Sequence, residues 1–234
     1  MNLIYDKKNL YGIKSIGEGA FGTCYLTKDG KVIKIFHRNH VRFENDIKKL
    51  STLNNGSYVF PQELLYYPIV ESGYLIGYIM EYVKGNELYN LFPSTDMNKL
   101  LAAICILEKD TDRLSEEHIQ IKDMKGGNTL YTYDNRIKVI DTDLYGFIAN
   151  ANYNNIQNGN MQEIAYLIST AVIKRNERQF KSTRLLNLYN DSYYGKVNPS
   201  CFLFEIMEEI RRVSKEEVET YQDFYRGMRL IMRK

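Results

Sequence analysis

Gly17-Glu18-Gly19-Ala20-Phe21-Gly22-Thr23-Cys24-Tyr25-Leu26 is followed by Thr27-Lys28-Asp29-Gly30 and then by Lys31-Val32-Ile33-Lys34-Ile35-Phe36. The glycines fit G-x-G-x-x-G, a spacing shared by more than one phosphate-binding architecture. A dinucleotide-binding turn would open a helix after its last glycine. Here the β-prone run Thr23-Cys24-Tyr25-Leu26 continues instead, and Asp29-Gly30 is a two-residue hairpin signal. The stretch therefore predicts a glycine-rich antiparallel hairpin rather than a βαβ crossover. Gly17, Gly19 and Gly22 would let its backbone approach phosphates that a side chain would hold off.

Further strand-prone runs surround this hairpin. Tyr11 to Ile16, Thr23 to Thr27, Lys31 to Phe36, Tyr66 to Val70 and Tyr74 to Tyr82 predict a five-stranded antiparallel sheet. One helix is inserted over Phe43 to Leu53, where Phe43, Asp46, Ile47, Leu50 and Leu53 share a face. The character changes after Lys84-Gly85-Asn86. Pro93-Ser94-Thr95-Asp96 has N-cap chemistry for a helix over Met97 to Lys109. Short strands over Thr129 to Tyr133 and Arg136 to Ile140 flank a turn at Asp134-Asn135. Helical patterns follow at Met161 to Lys174, Ser182 to Tyr189, Cys201 to Val213 and Lys215 to Met232. The expected class is α+β, with a sheet-rich part over 1–83 and a mainly helical part over 84–234. A ligand cleft is expected where the two meet.

The 234 residues suffice for one large domain or two small lobes. With 44% hydrophobic and 26% charged residues the composition is that of an ordinary globular chain. A formal net charge of +2 gives no basis for bulk attraction to nucleic acid or an anionic membrane. Cys24, Cys105 and Cys201 are far apart and lack metal-ligand spacing, which points to reduced thiols. No apolar run is long enough to span a bilayer, and the first residues carry no signal region. The expectation is a cytoplasmic protein with neither nucleic-acid nor membrane partners.

Three further patterns follow the glycine loop in order: Val32-Ile33-Lys34, Lys122-Asp123-Met124-Lys125-Gly126-Gly127-Asn128 and Val139-Ile140-Asp141. In this order they resemble the protein kinases, whose bilobal fold pairs a small sheet-rich lobe with a helical one. The resemblance covers the chain from Gly12 to Ile168 and implies ATP and Mg²⁺ as cofactors. By it, Gly17, Gly19 and Gly22 cover the nucleotide phosphates, and Lys34 pairs with them. The carboxylate that steadies this lysine is either Glu44, which has the usual side chain, or Asp46, which sits in the usual frame before Ile47, Leu50 and Leu53. The two lie about 200° apart around the helix. Tyr78 to Leu88 resembles a hinge segment, in which Met80 walls the adenine pocket. Backbone groups of Glu81 and Val83 bond the adenine edge there, and Glu87 lies near the ribose.

The strongest resemblance is the segment after Ile121. The family pattern His-Arg-Asp-x-Lys-x-x-Asn keeps its Asp, Lys and Asn here, while the His and Arg positions hold Ile121 and Lys122. By that resemblance Asp123 receives the hydroxyl proton or orients the nucleophile, Lys125 offsets charge on the transferred group and Asn128 binds metal. Phosphoryl transfer asks for positioned charge rather than covalent help, and this trio supplies it. Asp141 keeps the metal-binding carboxylate of the Asp-Phe-Gly pattern. Thr142 and Asp143 depart from that pattern and look more like aminoglycoside phosphotransferases. Asp143 is either a second metal ligand or the cap of a turn. Asn160 stands where protein kinases place a structural Asp. Leu144 to Gly159 holds no serine or threonine, so only Tyr145 and Tyr153 offer hydroxyls for modification there.

The resemblance implies an active kinase that moves the γ-phosphoryl of ATP to a hydroxyl, with a Ser or Thr of a protein as first choice. Asp-x-Lys-x-x-Asn favours that choice. Asp141-Thr142-Asp143 and the absence of an Ala-Pro-Glu pattern motivate a small-molecule kinase as the rival. The missing His-Arg motivates a nucleotide-binding pseudokinase or interaction module.

Overall fold

The computed structural model describes residues 3–4, 13–37, 44–54, 56–67, 73–174 and 180–232. Parts of the strands expected over Tyr11 to Ile16 and Tyr66 to Val70 lie outside these residues, as does Phe43. The chain forms two compact units. One comprises Met1–Val83 and Asp141–Tyr145, the other Lys84–Ile140 and Gly146–Lys234.

The first unit is built on strands β1 (Leu3–Ile4), β2 (Ser15–Glu18), β3 (Gly22–Leu26) and β4 (Lys31–Phe36), helix α1 (Glu44–Leu50), and strands β5 (Glu63–Tyr67) and β6 (Tyr74–Glu81). They form a six-stranded sheet in the order β1-β5-β6-β4-β3-β2. Five strands pair antiparallel, as expected, but β2 runs on through Gly17 and Glu18 and β5 already begins at Glu63, ahead of the expected Tyr66; β1 adds a two-residue parallel edge that the pattern did not signal. The β3–β4 turn closes where the Thr27 N–H donates to the Lys31 carbonyl at 2.9 Å, with Gly30 in the left-handed region at φ 79°. Gly22 is required at the start of β3, because a Cβ there would run into the Ile35 carbonyl oxygen across the ladder.

β4 is the centre of this unit and is covered on both faces. Ile33 and Ile35 pack with Leu65 and Ile76 on one side. By alternation, Val32, Lys34 and Phe36 occupy the other. Val32 stands opposite Met80 and Lys34 opposite Tyr78, while the Phe36 and Tyr78 rings meet edge to face with centroids 5.8 Å apart. Lys34 is therefore a cation set in an apolar surface. α1 is shorter than expected. Ile47 and Leu50 are buried, and the Ser51 and Thr52 hydroxyls then donate back to the Lys48 and Lys49 carbonyls, chemistry that competes with further helix.

The second unit opens with β7 (Gly85–Glu87), a short 3₁₀ turn over Leu88–Asn90 and helix α2 (Met97–Glu116). Asp96 caps α2 by accepting from the Asn98 and Lys99 N–H groups, as the local sequence implied. β8 (Ile119–Gln120), β9 (Thr129–Thr132), β10 (Ile137–Val139) and β11 (Gly146–Phe147) follow. β7, β9 and β10 make one small sheet, and β8 and β11 another. The sequence pattern did not signal β7, which lies where the character of the chain changes after Lys84-Gly85-Asn86. Then come helices α3 (Tyr153–Leu167), α4 (Thr183–Tyr193), α5 (Pro199–Ser214) and α6 (Tyr221–Ile231). α3 starts earlier than Met161, and its last turns widen into a π-helix over Ile168–Ile173. The helix expected from Lys215 begins only at Tyr221, because Lys215 adopts a left-handed conformation that ends α5 and Thr220 builds a capping box for α6.

Leu100, Ala103, Ile104 and Leu107 of α2 are buried together with Phe202, Leu203, Ile206 and Met207 of α5. The arginines near the C-terminus are engaged locally. Arg211 pairs with Glu208, Arg212 with Glu209 and Arg226 with Asp223, and Arg229 lies over the Tyr225 ring. Among the described residues no helix is long and apolar enough to cross a membrane.

Candidate functional site

Two sets of charged residues that the sequence pointed to are brought together, one in each unit. In the first unit, β4 delivers Lys34 and the returning segment Asp141–Tyr145 delivers two carboxylates. The segment is seated by Thr142, which is fully buried and donates its hydroxyl to the Val59 carbonyl at 3.0 Å. Tyr145 is buried as well, with its ring edge-on to Tyr58 at 5.8 Å. Asp141 takes a left-handed backbone at φ 65°. Its carboxylate pairs with the Lys34 ammonium, 107 residues away in sequence. Asp143 pairs with the same ammonium at 2.9 Å.

Lys34 is only 4% exposed. Burial works against a charged lysine, but the Asp143 and Asp141 carboxylates outweigh it, so its pKa stands above the ordinary lysine value. Asp143, also 4% exposed, is pushed up to about 6, first by burial and then by Asp141, against the pull of Lys34. Its Oδ1 is buried and accepts no hydrogen bond from a described residue. The Tyr78 hydroxyl, buried on the same face, is likewise unpartnered among the described residues. Burial and then the charges of Asp143 and Asp141 raise its pKa. The sheet and this segment thus concentrate oxygen donors around one cation.

The two helix carboxylates considered for Lys34 do not take that role here. Glu44 forms an ion pair with Lys48 at 2.6 Å, one turn along α1. The ion pairs of Lys34 go to Asp141 and Asp143 instead. Other residues of the same unit stand as follows. Gly19 closes a tight turn through its N–H to the Gly22 carbonyl at 2.9 Å. A Cβ at Gly17 or Gly19 would meet nothing within 4 Å, so open space borders the turn. Met80 is buried in β6, Glu81 ends that strand, and Val83 is half-buried two residues on.

In the second unit the Asp123 loop is presented at the surface. Asp123 has φ 58°, a left-handed value that costs a non-glycine residue roughly 1–2 kcal/mol. Its Oδ2 accepts from the Lys125 ammonium at 2.8 Å and from the Asn128 amide at 3.3 Å, and the same amide reaches the Asp123 carbonyl at 3.2 Å. The side chains of Asp123 and Lys125 are 41% and 55% exposed. Asp, Lys and Asn thus converge as one polar group open to solvent. Gly126 behind them is packed so closely on Tyr89 and Ala171 that a Cβ would lie 2.9 Å and 3.0 Å from their Cβ atoms. Glu87 accepts from the Asn90 amide at 2.9 Å.

Asn160 is fully buried in α3. It accepts from the Ile121 N–H at 2.9 Å and donates to the Ser115 hydroxyl and the Ile119 carbonyl, each at 2.9 Å. Glu163, which the sequence did not single out, accepts from the Met124 N–H at 3.1 Å. The two tyrosines of the 144–159 stretch are engaged. Tyr145 is buried, and the Tyr153 hydroxyl donates to Asp112 at 2.6 Å. That bond, helped by burial, pushes Tyr153 up to about 12.

In comparison with known proteins, no family model and no curated protein sequence matches the chain.

Proposed function

We propose that this chain is an ATP-dependent phosphotransferase of the protein kinase-like type, acting on a Ser or Thr hydroxyl of a protein. The observation that carries the reading is the meeting of Lys34 with Asp141 and Asp143, which brings the strand lysine of one pattern to the carboxylates of another. On this reading Lys34 turns to the α- and β-phosphates when ATP binds. The open turn at Gly17 and Gly19 leaves room for those phosphates. Asp123 takes or orients the acceptor hydroxyl proton, Lys125 offsets negative charge on the transferred group and Asn128 contributes an oxygen ligand.

The donors suit Mg²⁺. Asp141 and Asp143 offer hard carboxylate oxygens, and Oδ1 of Asp143 is buried without a partner among the described residues. Among the described residues no cluster of three or more His, Cys, Asp or Glu forms a cage. On this reading the ion would be held by one or two carboxylates together with nucleotide phosphates. Bound there, Mg²⁺ supplies charge neutralisation for the phosphate oxygens.

Purified protein incubated with γ-labelled ATP, Mg²⁺ and a generic protein substrate tests the reading. Transfer of label that vanishes in Asp123→Ala and Asp141→Ala is expected. Full turnover in either variant would refute the assigned roles. A small-molecule acceptor is the second reading, favoured by the second carboxylate, Asp143, at Lys34. Label moving to an aminoglycoside or metabolite hydroxyl, and not to protein, would select it.

A further inference from the structure

The loop carrying Asp123 hangs from one helix at two points. Asn160 and Glu163 are three residues apart on α3 and so lie on the same face. They catch the N–H groups of Ile121 and Met124, which are also three residues apart and bracket Asp123. The Ile121 and Met124 side chains are both buried, so the backbone between them is pinned from inside while Lys122 and Asp123 face outward. Left-handed Asp123 needs such support on both sides, since relaxing to negative φ would swing its carboxylate away.

Asn160 alone does not supply it. Its bonds end at Ile121, upstream of the strained residue. Glu163 grips the peptide immediately downstream, and it does so with an acceptor that can be ionised. Keeping a carboxylate there works against the local electrostatics. Burial raises the Glu163 pKa, the Met124 bond opposes that rise, and the nearby Asp123 charge adds to it. A group retained against those forces is doing something its neighbours cannot.

We propose that Glu163 is a positioning residue of the phosphotransfer site: by holding the Met124 N–H it fixes the left-handed backbone of Asp123, and with it the direction of the Asp123 carboxylate. The inference rests on the phosphotransferase reading for its kinetic consequence. The structural part stands on the hydrogen bond alone.

The test uses the full chain with Glu163→Ala and Glu163→Gln, the latter keeping a carbonyl acceptor without the charge. Two readouts are taken: amide hydrogen exchange at Met124, and kcat and KM for ATP. In Glu163→Ala, Met124 exchange is expected to accelerate about tenfold and kcat to fall about tenfold, with KM for ATP within about twofold. Glu163→Gln is expected to restore most of both exchange protection and kcat, the remainder being the share of the carboxylate charge. Unchanged Met124 exchange in Glu163→Ala would overturn the proposal. So would a kcat loss in Glu163→Gln equal to that in Glu163→Ala. Should Glu163→Ala fail to fold, Glu163→Asp, one methylene too short to keep the bond, must show a partial loss of Met124 protection or the proposal falls. If wild type transfers no phosphate at all, the functional reading fails, and the exchange measurement still decides the hanger.

Discussion

The chain holds two lysine–aspartate groups of the same chemistry in opposite surroundings. Lys34 and Asp143 are buried against β-sheet in the first unit, with the half-exposed Asp141 beside them, whereas Lys125 with Asp123 is open to solvent in the second. In water an ion pair gains little, because screening and side-chain entropy consume the Coulomb energy. In a low-dielectric interior each charge depends on the other, and losing one strands its partner. The first group is thus bound up with folding as well as function. The second can be taken apart with the fold intact, which makes it the cleaner place to ask about catalysis.

Asp123→Ala should give the largest effect on activity and almost none on stability. We expect phosphotransfer to drop about 10²–10⁴-fold. The thermal midpoint should move by no more than about 3 °C. A collapse in stability would erase the contrast between the groups. Lys34→Met should do the reverse to the fold. It leaves Asp143 buried without its cation and is expected to cost about 3–5 kcal/mol in urea unfolding. A loss below about 1 kcal/mol would mean that the buried group behaves like a surface pair.

Titration sharpens the comparison further. Asp143 titrates at about 6 in the fold, against 3.8 as its ordinary value. Between those values the native state binds more protons than the unfolded chain, so this residue makes stability fall as pH rises from about 4 to about 6. Asp143→Asn should flatten that slope in chelator-treated protein, read from urea midpoints across the interval. An unaltered slope would assign it elsewhere. Smallest are the glycine effects. Gly22→Ala, forced against the Ile35 carbonyl, should cost about 1–3 kcal/mol. Gly19→Ala, with open space around it, should change stability by less than about 1 kcal/mol and act through KM for ATP instead.

What could be read in advance depended on the range of the interaction. The hairpin at Asp29-Gly30 and the Asp96 cap are local, and each appears where its residues announced it, although the loop between Thr27 and Lys31 takes three residues, ending on left-handed Gly30, rather than the expected two. Lys34 shows the limit. Its expected partner was a carboxylate ten or twelve residues on, in α1, yet its ion pairs come from residues 141 and 143. Nothing in helical periodicity reports a pairing of that span. β7 escaped notice because its three residues include a glycine and two polar side chains, and only the ladder to β9 makes them a strand. Glu163 has no local signature either, since its partner is a backbone N–H 39 residues away. Its spacing of three from Asn160 was the one available hint.

Residues 141–145 belong to the first unit although 57 residues of the other unit, Lys84–Ile140, precede them in the chain. A ribosome making this protein therefore finishes the sheet long before it can deliver the carboxylates for Lys34. Until Tyr145 has left the exit tunnel, Lys34 on its apolar face lacks the Asp141 and Asp143 carboxylates, and the sheet lacks Thr142 and Tyr145. The N-terminal part cannot mature first and wait, so its completion is tied to synthesis of most of the chain, and a fragment ending at Val83 would stay unfinished.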